Sequence, residues 1–250
     1  MESKDAKKAL RSQIRRARRE RANAPDAASA RERAAQALAE AVLRHLDETM
    51  PLAQPAPGST GEAAQPLPRW GQPGATVALF RSTPTEPPTH ALSTALLERG
   101  VRVLVPRTLP DLDLDWHELL PGTLHEPPMA NLDGRRGSAA AKSDAADLPG
   151  GEDRDDEGPA LGVEAIGRAS VVLTPGLAVD ASGHRLGQGG GCYDRALQRR
   201  ADGAPVATIL FDDELVAALP HEPHDSPVDA VVTPSRGWTV LPIGPDHLGN

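Results

Sequence analysis

Five short apolar segments constrain the fold of this chain more than any other feature. They are rich in Val, Leu and Ile and are bounded by turn residues, as buried strands are; they read TVALF, VRVLVP, SVVLTP, PVATILF and DAVVTP. A helical segment over residues 89–98 separates the first two, which makes a β-α-β unit with a right-handed crossover. The sequence therefore predicts an α/β fold, a three-layer α/β/α sandwich with a mainly parallel sheet.

Helices are predicted before the sheet and between its later strands. The first covers residues 4–22, where apolar residues recur at helical spacing on an otherwise basic surface; they are Ala6, Leu10, Ile14 and Ala17. The second covers residues 27–46, with an inward face made by Ala35, Leu38, Val42 and Leu46. Together they predict an N-terminal helical hairpin, and shorter helices are expected over 162–167, 190–200 and 214–219.

The whole chain, residues 1–250, is expected to form one domain that contains two irregular segments. Residues 50–74 are too rich in Pro and Gly for regular structure and predict a loop. Residues 130–159 combine low hydrophobicity with an acidic bias, so they predict a disordered surface insertion. With 250 residues, 39 % of them apolar, the remainder is enough for a single core.

Charge and cysteine content restrict the partners and the compartment. The formal charge of −8 argues against nucleic-acid binding by the chain as a whole, although basic residues crowd the first twenty positions. The single cysteine, Cys192, excludes an intramolecular disulfide and fits a reducing compartment. No apolar run is long enough to span a membrane, and no signal peptide is evident. We expect a cytoplasmic monomer with neither a membrane nor a nucleic acid as partner.

One stretch carries most of the chemical information, GHRLGQGGGCYDR at residues 183–195. Its glycines permit close approach of a ligand to backbone N–H groups, and the helix expected from about residue 190 adds a positive N-terminus. Arg185 can contact phosphate, whereas Asp194 would repel it unless a cation lay between them. The stretch predicts a nucleotide phosphate with Mg²⁺. A turn that only connects a strand to a helix is the alternative.

The longer stretch PGLAVDASGHRLGQGGGCYDRAL resembles the signature of the 5-formyltetrahydrofolate cyclo-ligase family. Weaker resemblances lie in KKALR near the N-terminus, in FRSTPTEPPT after the first strand, and in HDSPVDAVVTP near the C-terminus. The resemblance implies conversion of 5-formyltetrahydrofolate to 5,10-methenyltetrahydrofolate with hydrolysis of MgATP to ADP and phosphate. In that reaction the formyl oxygen is phosphorylated, which activates its carbon for attack by the neighbouring folate nitrogen.

The resemblance also implies roles for individual residues. ATP phosphates would contact Lys7 and Arg11, and the ATP loop would comprise Arg185, Leu186, Gly187, Gln188, Gly189, Gly190, Gly191, Cys192 and Tyr193. Asp194 and Asp229 would hold Mg²⁺, with Arg185 and Asp194 acting in catalysis. Arg81 and Glu86 would bind the folate.

Several residues also have structural interpretations. Asp229 suits a strand start, Glu86 suits an exposed turn, and Cys192 is expected to pack, since no His is placed by sequence to activate it. A solvated basic face is expected for Arg15, Arg16, Arg18 and Arg19.

Two other functions stay open from the sequence. The first is a sugar-phosphate isomerase or CoA transferase of related fold, which would need no ATP. The second is a nucleic-acid-binding module that uses the basic N-terminal helix.

Overall fold

The computed structural model describes residues 2–49, 75–121, 156–221 and 227–242. The loop predicted over 50–74 and residues 130–155 of the predicted insertion lie outside these ranges. Within them, no helix is long and apolar enough to cross a membrane.

Two long helices open the chain, as predicted. Helix α1 covers Glu2–Ala22 and α2 covers Ala27–Thr49. The inward face predicted for the second helix is confirmed, because its four predicted residues are all buried: Ala35, Leu38, Val42 and Leu46. α2 packs against the sheet and against a third helix, α3, at His90–Glu98.

The described residues contain eleven strands, and eight of them form one sheet. In chain order they are β1 Thr76–Leu79, β2 Arg102–Thr108, β3 Leu114–Leu119, β4 Glu157–Ala160, β5 Val171–Pro175, β6 Ala178–Asp180, β7 Arg185–Leu186, β8 Val206–Ile209, β9 Leu215–Val216, β10 Ala230–Thr233 and β11 Gly237–Val240. The large sheet has the order β11-β10-β8-β5-β1-β2-β3-β4. Its five central strands are parallel and its outer strands antiparallel, which confirms the mainly parallel sheet and the β-α-β unit.

The two faces of the large sheet bury separate apolar clusters. One cluster joins the sheet to α2 and α3, through residues such as Val42, Leu46 and Leu92. The other cluster joins the sheet to three short helical segments, which are Val163–Arg168, helix α4 (Cys192–Ala196) and Leu197–Arg199. Helices therefore cover both faces, and the predicted three-layer α/β/α sandwich is confirmed.

The end of the predicted insertion is ordered, contrary to expectation. β4 pairs antiparallel with β3, so the predicted disorder is wrong for residues 157–159. The carboxylates of Asp156 and Glu157 meet two arginines, with Nη1 of Arg81 2.6 Å from Asp156 and Nε of Arg107 2.7 Å from Glu157. Composition alone indicated disorder because it does not show that these acidic residues have basic partners elsewhere in the chain.

Two of the predicted short helices also differ. The segment after β8 forms a single 3-10 turn at Asp212–Glu214 and then strand β9, so the helix predicted over 214–219 is wrong. The helix predicted over 190–200 starts at Cys192 and breaks after Ala196 into a 3-10 turn. The 3-10 turn of residues 163–168 lies close to the segment predicted over 162–167.

Candidate active site

The glycine loop, residues 187–191, lies at the carboxyl edge of the large sheet, beyond β5. β6 and β7 form an antiparallel hairpin in which Ala178 pairs with Leu186. Arg185, at the start of β7, donates a hydrogen bond from Nη1 to the carbonyl of Pro175, the last residue of β5, at 3.2 Å. The hairpin therefore returns the chain to the end of β5, the place where ligands bind in open parallel sheets.

Arg185 and Asp194, which are predicted to act in one phosphate and Mg²⁺ site, lie in direct contact. Nη2 of Arg185 lies 2.7 Å from Oδ1 of Asp194. The Arg185 side chain is only 6 % exposed, whereas that of Asp194 is 55 % exposed. A buried cation thus stands beside an accessible carboxylate, so one position can attract an anion while the other meets a hydrated cation.

Two glycines of the loop adopt conformations that other residues rarely take. Gly189 has φ of 107° and Gly191 has φ of 68°, and Gly191 immediately precedes α4. A side chain at either position would be strained, which explains the choice of glycine. α4 starts at Cys192 and has only five residues, so the contribution of its N-terminus to phosphate binding stays a prediction.

The first half of α1 lies against this loop. Nε of Arg11 donates to the carbonyl of Gly187 at 2.9 Å. Arg15, one turn further along, holds the Gln188 side chain, with Nη2 2.7 Å from Oε1. Lys7 lies one turn before Arg11 and so on the same side of the helix. Arg15 therefore contacts the loop, and its predicted place on a solvated face is wrong.

The second half of α1 is anchored by a buried ion pair. Nε and Nη2 of Arg18 each lie 2.7 Å from a carboxylate oxygen of Glu214, and Nη2 also donates to the carbonyl of Gly176. Both side chains are 3 % exposed. Burial raises the pKa of Glu214, while the Arg18 guanidinium opposes that shift. The solvated role predicted for Arg18 is wrong because the sequence does not show its distant carboxylate partner.

Glu86, in the turn that follows β1, lies near enough to Tyr193 to interact with it electrostatically. Glu86 belongs to that turn, where its Oε2 accepts from the backbone N–H of Thr83 at 2.9 Å. The Tyr193 hydroxyl is buried and has no hydrogen-bond partner among the described residues. Burial raises the pKa of Tyr193, and the nearby Glu86 carboxylate adds to the shift. The phenol therefore stays protonated and can donate to a bound ligand.

Arg81, the other predicted folate contact, is engaged by acidic residues. Its Nη1 lies 2.6 Å from Oδ2 of Asp156 and 3.2 Å from Oε1 of Glu157. An anionic ligand would have to compete with both carboxylates for this guanidinium. Folate binding by Arg81 stays a prediction.

Asp229 is not brought together with Asp194. Its Oδ2 accepts from the backbone N–H of Val206, at the start of β8, at 2.8 Å. Val206 pairs with Val172, three residues before the end of β5, so Asp229 lies toward the amino ends of the strands, whereas Arg185 contacts Pro175 at the carboxyl end of β5. Asp229 fits the structural alternative, a residue at a strand start. Asp194 alone fits Mg²⁺, which commonly binds one or two carboxylates together with phosphate oxygens and water.

Cys192 packs rather than reacts. Its side chain is partly buried against the second apolar cluster. Burial raises the pKa of the thiol, which keeps it protonated at neutral pH and removes the thiolate that a nucleophile needs. The geometry therefore agrees with the packing role expected for this residue.

A cavity of about 380 Å³ opens at the same edge of the sheet as the loop and was missed from the sequence. Its walls combine alanines of α1 and α2 with Pro84 and Phe211, and arginines stand around it. The sequence signal for it is Phe211, an aromatic residue two positions after the end of β8. The alanines of α1 and α2 gave no such signal, because alanine on a helix face usually indicates close packing against a neighbouring element and not a cavity.

Comparisons with known proteins agree on one family. Residues 62–234 match the profile of the 5-formyltetrahydrofolate cyclo-ligase family. A 5-formyltetrahydrofolate cyclo-ligase of Mycolicibacterium smegmatis is 39 % identical over 173 residues, which are 67 % of this chain and 78 % of that protein. The protein of the same name from Escherichia coli K12 is 47 % identical over 75 residues, 29 % of this chain and 41 % of that one.

Two solved structures share the fold. The 5,10-methenyltetrahydrofolate synthetase of Aquifex aeolicus superimposes with a TM-score of 0.54 at 20 % identity, covering 95 % of this chain and 94 % of the other. The corresponding synthetase of Mycoplasma pneumoniae gives 0.53 at 15 % identity, covering 90 % and 96 %.

Proposed function

This chain belongs to the 5-formyltetrahydrofolate cyclo-ligase family, and from that premise we propose that it converts 5-formyltetrahydrofolate to 5,10-methenyltetrahydrofolate at the expense of MgATP. The observation that carries the proposal is the Arg185–Asp194 pair beside the glycine loop, with Arg11 of α1 on the other side. These groups combine phosphate recognition with one accessible carboxylate, as MgATP requires.

The chemical problem is a poor leaving group. The oxygen of an N-formyl amide cannot depart as oxide, so the γ-phosphoryl group of ATP is transferred to it and ADP is released. The neighbouring folate nitrogen then attacks the activated carbon and closes the ring. The C–O bond breaks, phosphate carries away the former formyl oxygen, and the attacking nitrogen loses its proton. The products are methenyltetrahydrofolate, ADP and phosphate.

The protein's share of this reaction is positioning and charge compensation. Arg185 is held by the carbonyl of Pro175 and by Asp194, so its charge is fixed before a ligand arrives. Arg11 and Lys7 approach from α1, and N–H groups of residues 187–191 provide further donors. Preorganised donors of this kind stabilise the charge that spreads over the transferring phosphoryl oxygens.

Asp194 would hold Mg²⁺, which supplies charge neutralisation between the ATP phosphates. The fit rests on its 55 % exposed carboxylate beside a buried arginine. With the metal bound, Asp194 would have both the metal and Arg185 as cationic neighbours, so neither the carboxylate nor the phosphate would be left uncompensated.

The folate would lie between the loop and the turn that follows β1. Glu86 offers a carboxylate that can accept hydrogen bonds from the pterin ring, and Tyr193 offers a buried hydroxyl that has no partner among the described residues. A buried donor without a partner carries a free-energy cost that a ligand would relieve. Arg81 would contribute once its acidic partners yield to the substrate.

We further propose that the enzyme works as a cytoplasmic monomer without nucleic acid. The basic face of α1 is largely used by the protein itself, since Arg11 and Arg15 contact the loop and Arg18 and Arg21 contact acidic residues. The charges of Arg18 and Arg21 are therefore compensated by carboxylates, while Arg11 and Arg15 are directed at the loop where ATP would bind.

An absorbance assay tests the proposed reaction. Purified protein with 5-formyltetrahydrofolate should produce the methenyl chromophore only when ATP and Mg²⁺ are both present. Asp194→Asn should slow this by roughly 10- to 100-fold, because one charge-assisted contact is lost. The control is Asp202→Asn, an exposed aspartate of a turn outside the site. Chromophore growth without ATP, or none with it, would refute the proposal, and no growth under either condition would favour the isomerase or transferase class.

A further inference from the structure

A second group of polar side chains lies at the other end of the β6–β7 hairpin. It consists of Asp180, His184 and His221, whose potential ligand atoms all lie within 4.8 Å of one another. None of the three is used by the proposed reaction. We propose that they bind a divalent transition-metal ion, with Zn²⁺ as the best fit.

The carboxylate is fixed in place by the backbone. Oδ1 of Asp180 accepts from the N–H groups of Ser182 and His184 at 2.9 and 3.0 Å, and Oδ2 accepts from the N–H of Leu219 at 3.0 Å. Asp180 is itself buried. A ligand held by its surroundings in this way costs little entropy to order when a metal binds.

The two imidazoles are already close to the carboxylate. Nδ1 of His184 lies 3.3 Å from Oδ2 of Asp180, and the rings of His184 and His221 stack with centroids 3.8 Å apart. Bonds of about 2.1 Å in a tetrahedral site place ligand atoms roughly 3.4 Å apart. The ligand atoms, at most 4.8 Å apart, must therefore move closer together. His221 can make this movement because it is exposed and can turn toward an ion entering from solvent.

The donor set selects the class of metal. Two imidazole nitrogens and one carboxylate suit Zn²⁺ and its late first-row neighbours, whereas Mg²⁺ prefers oxygen ligands alone. Three protein ligands leave a fourth position for water. The site is thus distinct in chemistry from the single carboxylate at Asp194.

An ion here would join two segments of the chain. Asp180 and His184 belong to the hairpin that carries Arg185, whereas His221 follows the short strand β9, which pairs with β6. The ion would tie this small sheet together next to the active-site arginine. The readouts below are binding and thermal stability, so the proposal stands or falls independently of the cyclo-ligase activity.

Titration of the full chain tests the site directly. Protein treated with a chelator and then dialysed should bind one equivalent of Zn²⁺ by calorimetry, and Zn²⁺ should raise its melting temperature because it binds only the folded site. Co²⁺ should produce the visible absorption bands of a low-coordinate site. His184→Ala and His221→Ala should each weaken binding by at least about tenfold.

The control is His90→Ala, which removes another imidazole with a carboxylate partner, Nε2 lying 2.9 Å from Oε2 of Glu32. It should bind Zn²⁺ as the unaltered protein does, and Mg²⁺ should not compete in any variant. Unchanged affinity in either His184→Ala or His221→Ala would overturn the proposal, as would Zn²⁺ binding no tighter than Mg²⁺. His184→Gln and His221→Gln, which keep a polar side chain, repeat the comparison if an alanine variant does not fold.

Discussion

The two halves of α1, taken as the residues before and after Ala17, are both rich in basic residues and have opposite roles. In the first half, Arg11 and Arg15 lie on a glycine loop and meet a backbone carbonyl and an amide, neither of which is charged. In the second half, Arg18 is buried against the carboxylate of Glu214. Arginines at helical spacing thus become a ligand-binding face or a structural anchor according to what the opposite element presents.

This difference also explains why the anchor and the binding face share one helix. The Arg18 contacts with Glu214 and with the carbonyl of Gly176 join α1 to the end of β5 and to the turn after β8. Fixing that end of the helix sets the position of Arg11 about two turns earlier. The buried pair therefore serves the phosphate site indirectly, by holding the helix at a defined position over the loop.

The largest effect is expected from breaking the buried anchor. Arg18→Ala removes the close partner of the buried Glu214 carboxylate and leaves it only Arg21, at 4.0 Å, which should lower the free energy of unfolding by about 3–5 kcal/mol. Urea denaturation followed by circular dichroism measures it. Arg16→Ala is the matched control, since its pair with Glu20 is exposed and the urea midpoint should not move.

A double replacement sharpens the same test. Arg18→Met with Glu214→Leu removes both charges and keeps similar volume, so much of the lost stability should return. If Arg18→Ala unfolds at the same urea concentration as the unaltered protein, Arg18 is not an anchor and the two halves of α1 do not differ in this way.

A smaller, purely functional effect is expected in the first half of the helix. Arg11→Ala should raise the KM for ATP by roughly 10- to 100-fold, the value of one charge-assisted contact, with an unchanged urea midpoint. Arg19→Ala, an exposed residue of the same helix, provides the control in steady-state kinetics. A loss of stability comparable to that of Arg18→Ala would erase the distinction between the two halves.

The smallest effect is expected at the rim of the loop. The Arg15–Gln188 contact is near the surface, and such pairs contribute about 0.2–1 kcal/mol. Arg15→Ala and Gln188→Ala should each change the KM for ATP by less than about fivefold, and the double variant should match the single ones. A larger change in Arg15→Ala alone would place Arg15 on the phosphate beside Arg11.

The fold was largely predictable because its central strands and helices carry strong local patterns. The apolar segments at β1, β2, β5, β8 and β10 lie where expected, as do α2 and α3. The antiparallel strands could not be found in the same way. β4 contains Glu157 and Gly158, and its pairing with β3 depends on Arg81 and Arg107, which are distant in sequence.

The candidate site was predictable as far as its residues cluster in one stretch. Arg185, Asp194 and the glycines come together because they share the hairpin and α4. The sequence predicts Asp229 beside them, but its carboxylate accepts a hydrogen bond from the backbone N–H of Val206 instead. The reason is that Asp229 precedes strand β10, which begins at the opposite edge of the sheet. The anchoring role of Arg18 depends on Glu214, 196 residues away, and no local pattern could indicate it.

The β3–β4 pairing makes this edge of the sheet a suitable place for inserting additional sequence. The backbone N–H of Leu120 donates to the carbonyl of Asp156 at 2.9 Å, so the chain leaves the sheet and re-enters it at neighbouring points. The entropy cost of bringing two such points together rises only slowly with the length of chain between them. A fluorescent domain or an affinity tag could therefore be spliced in between these two points, while the strands that carry the active site keep their register.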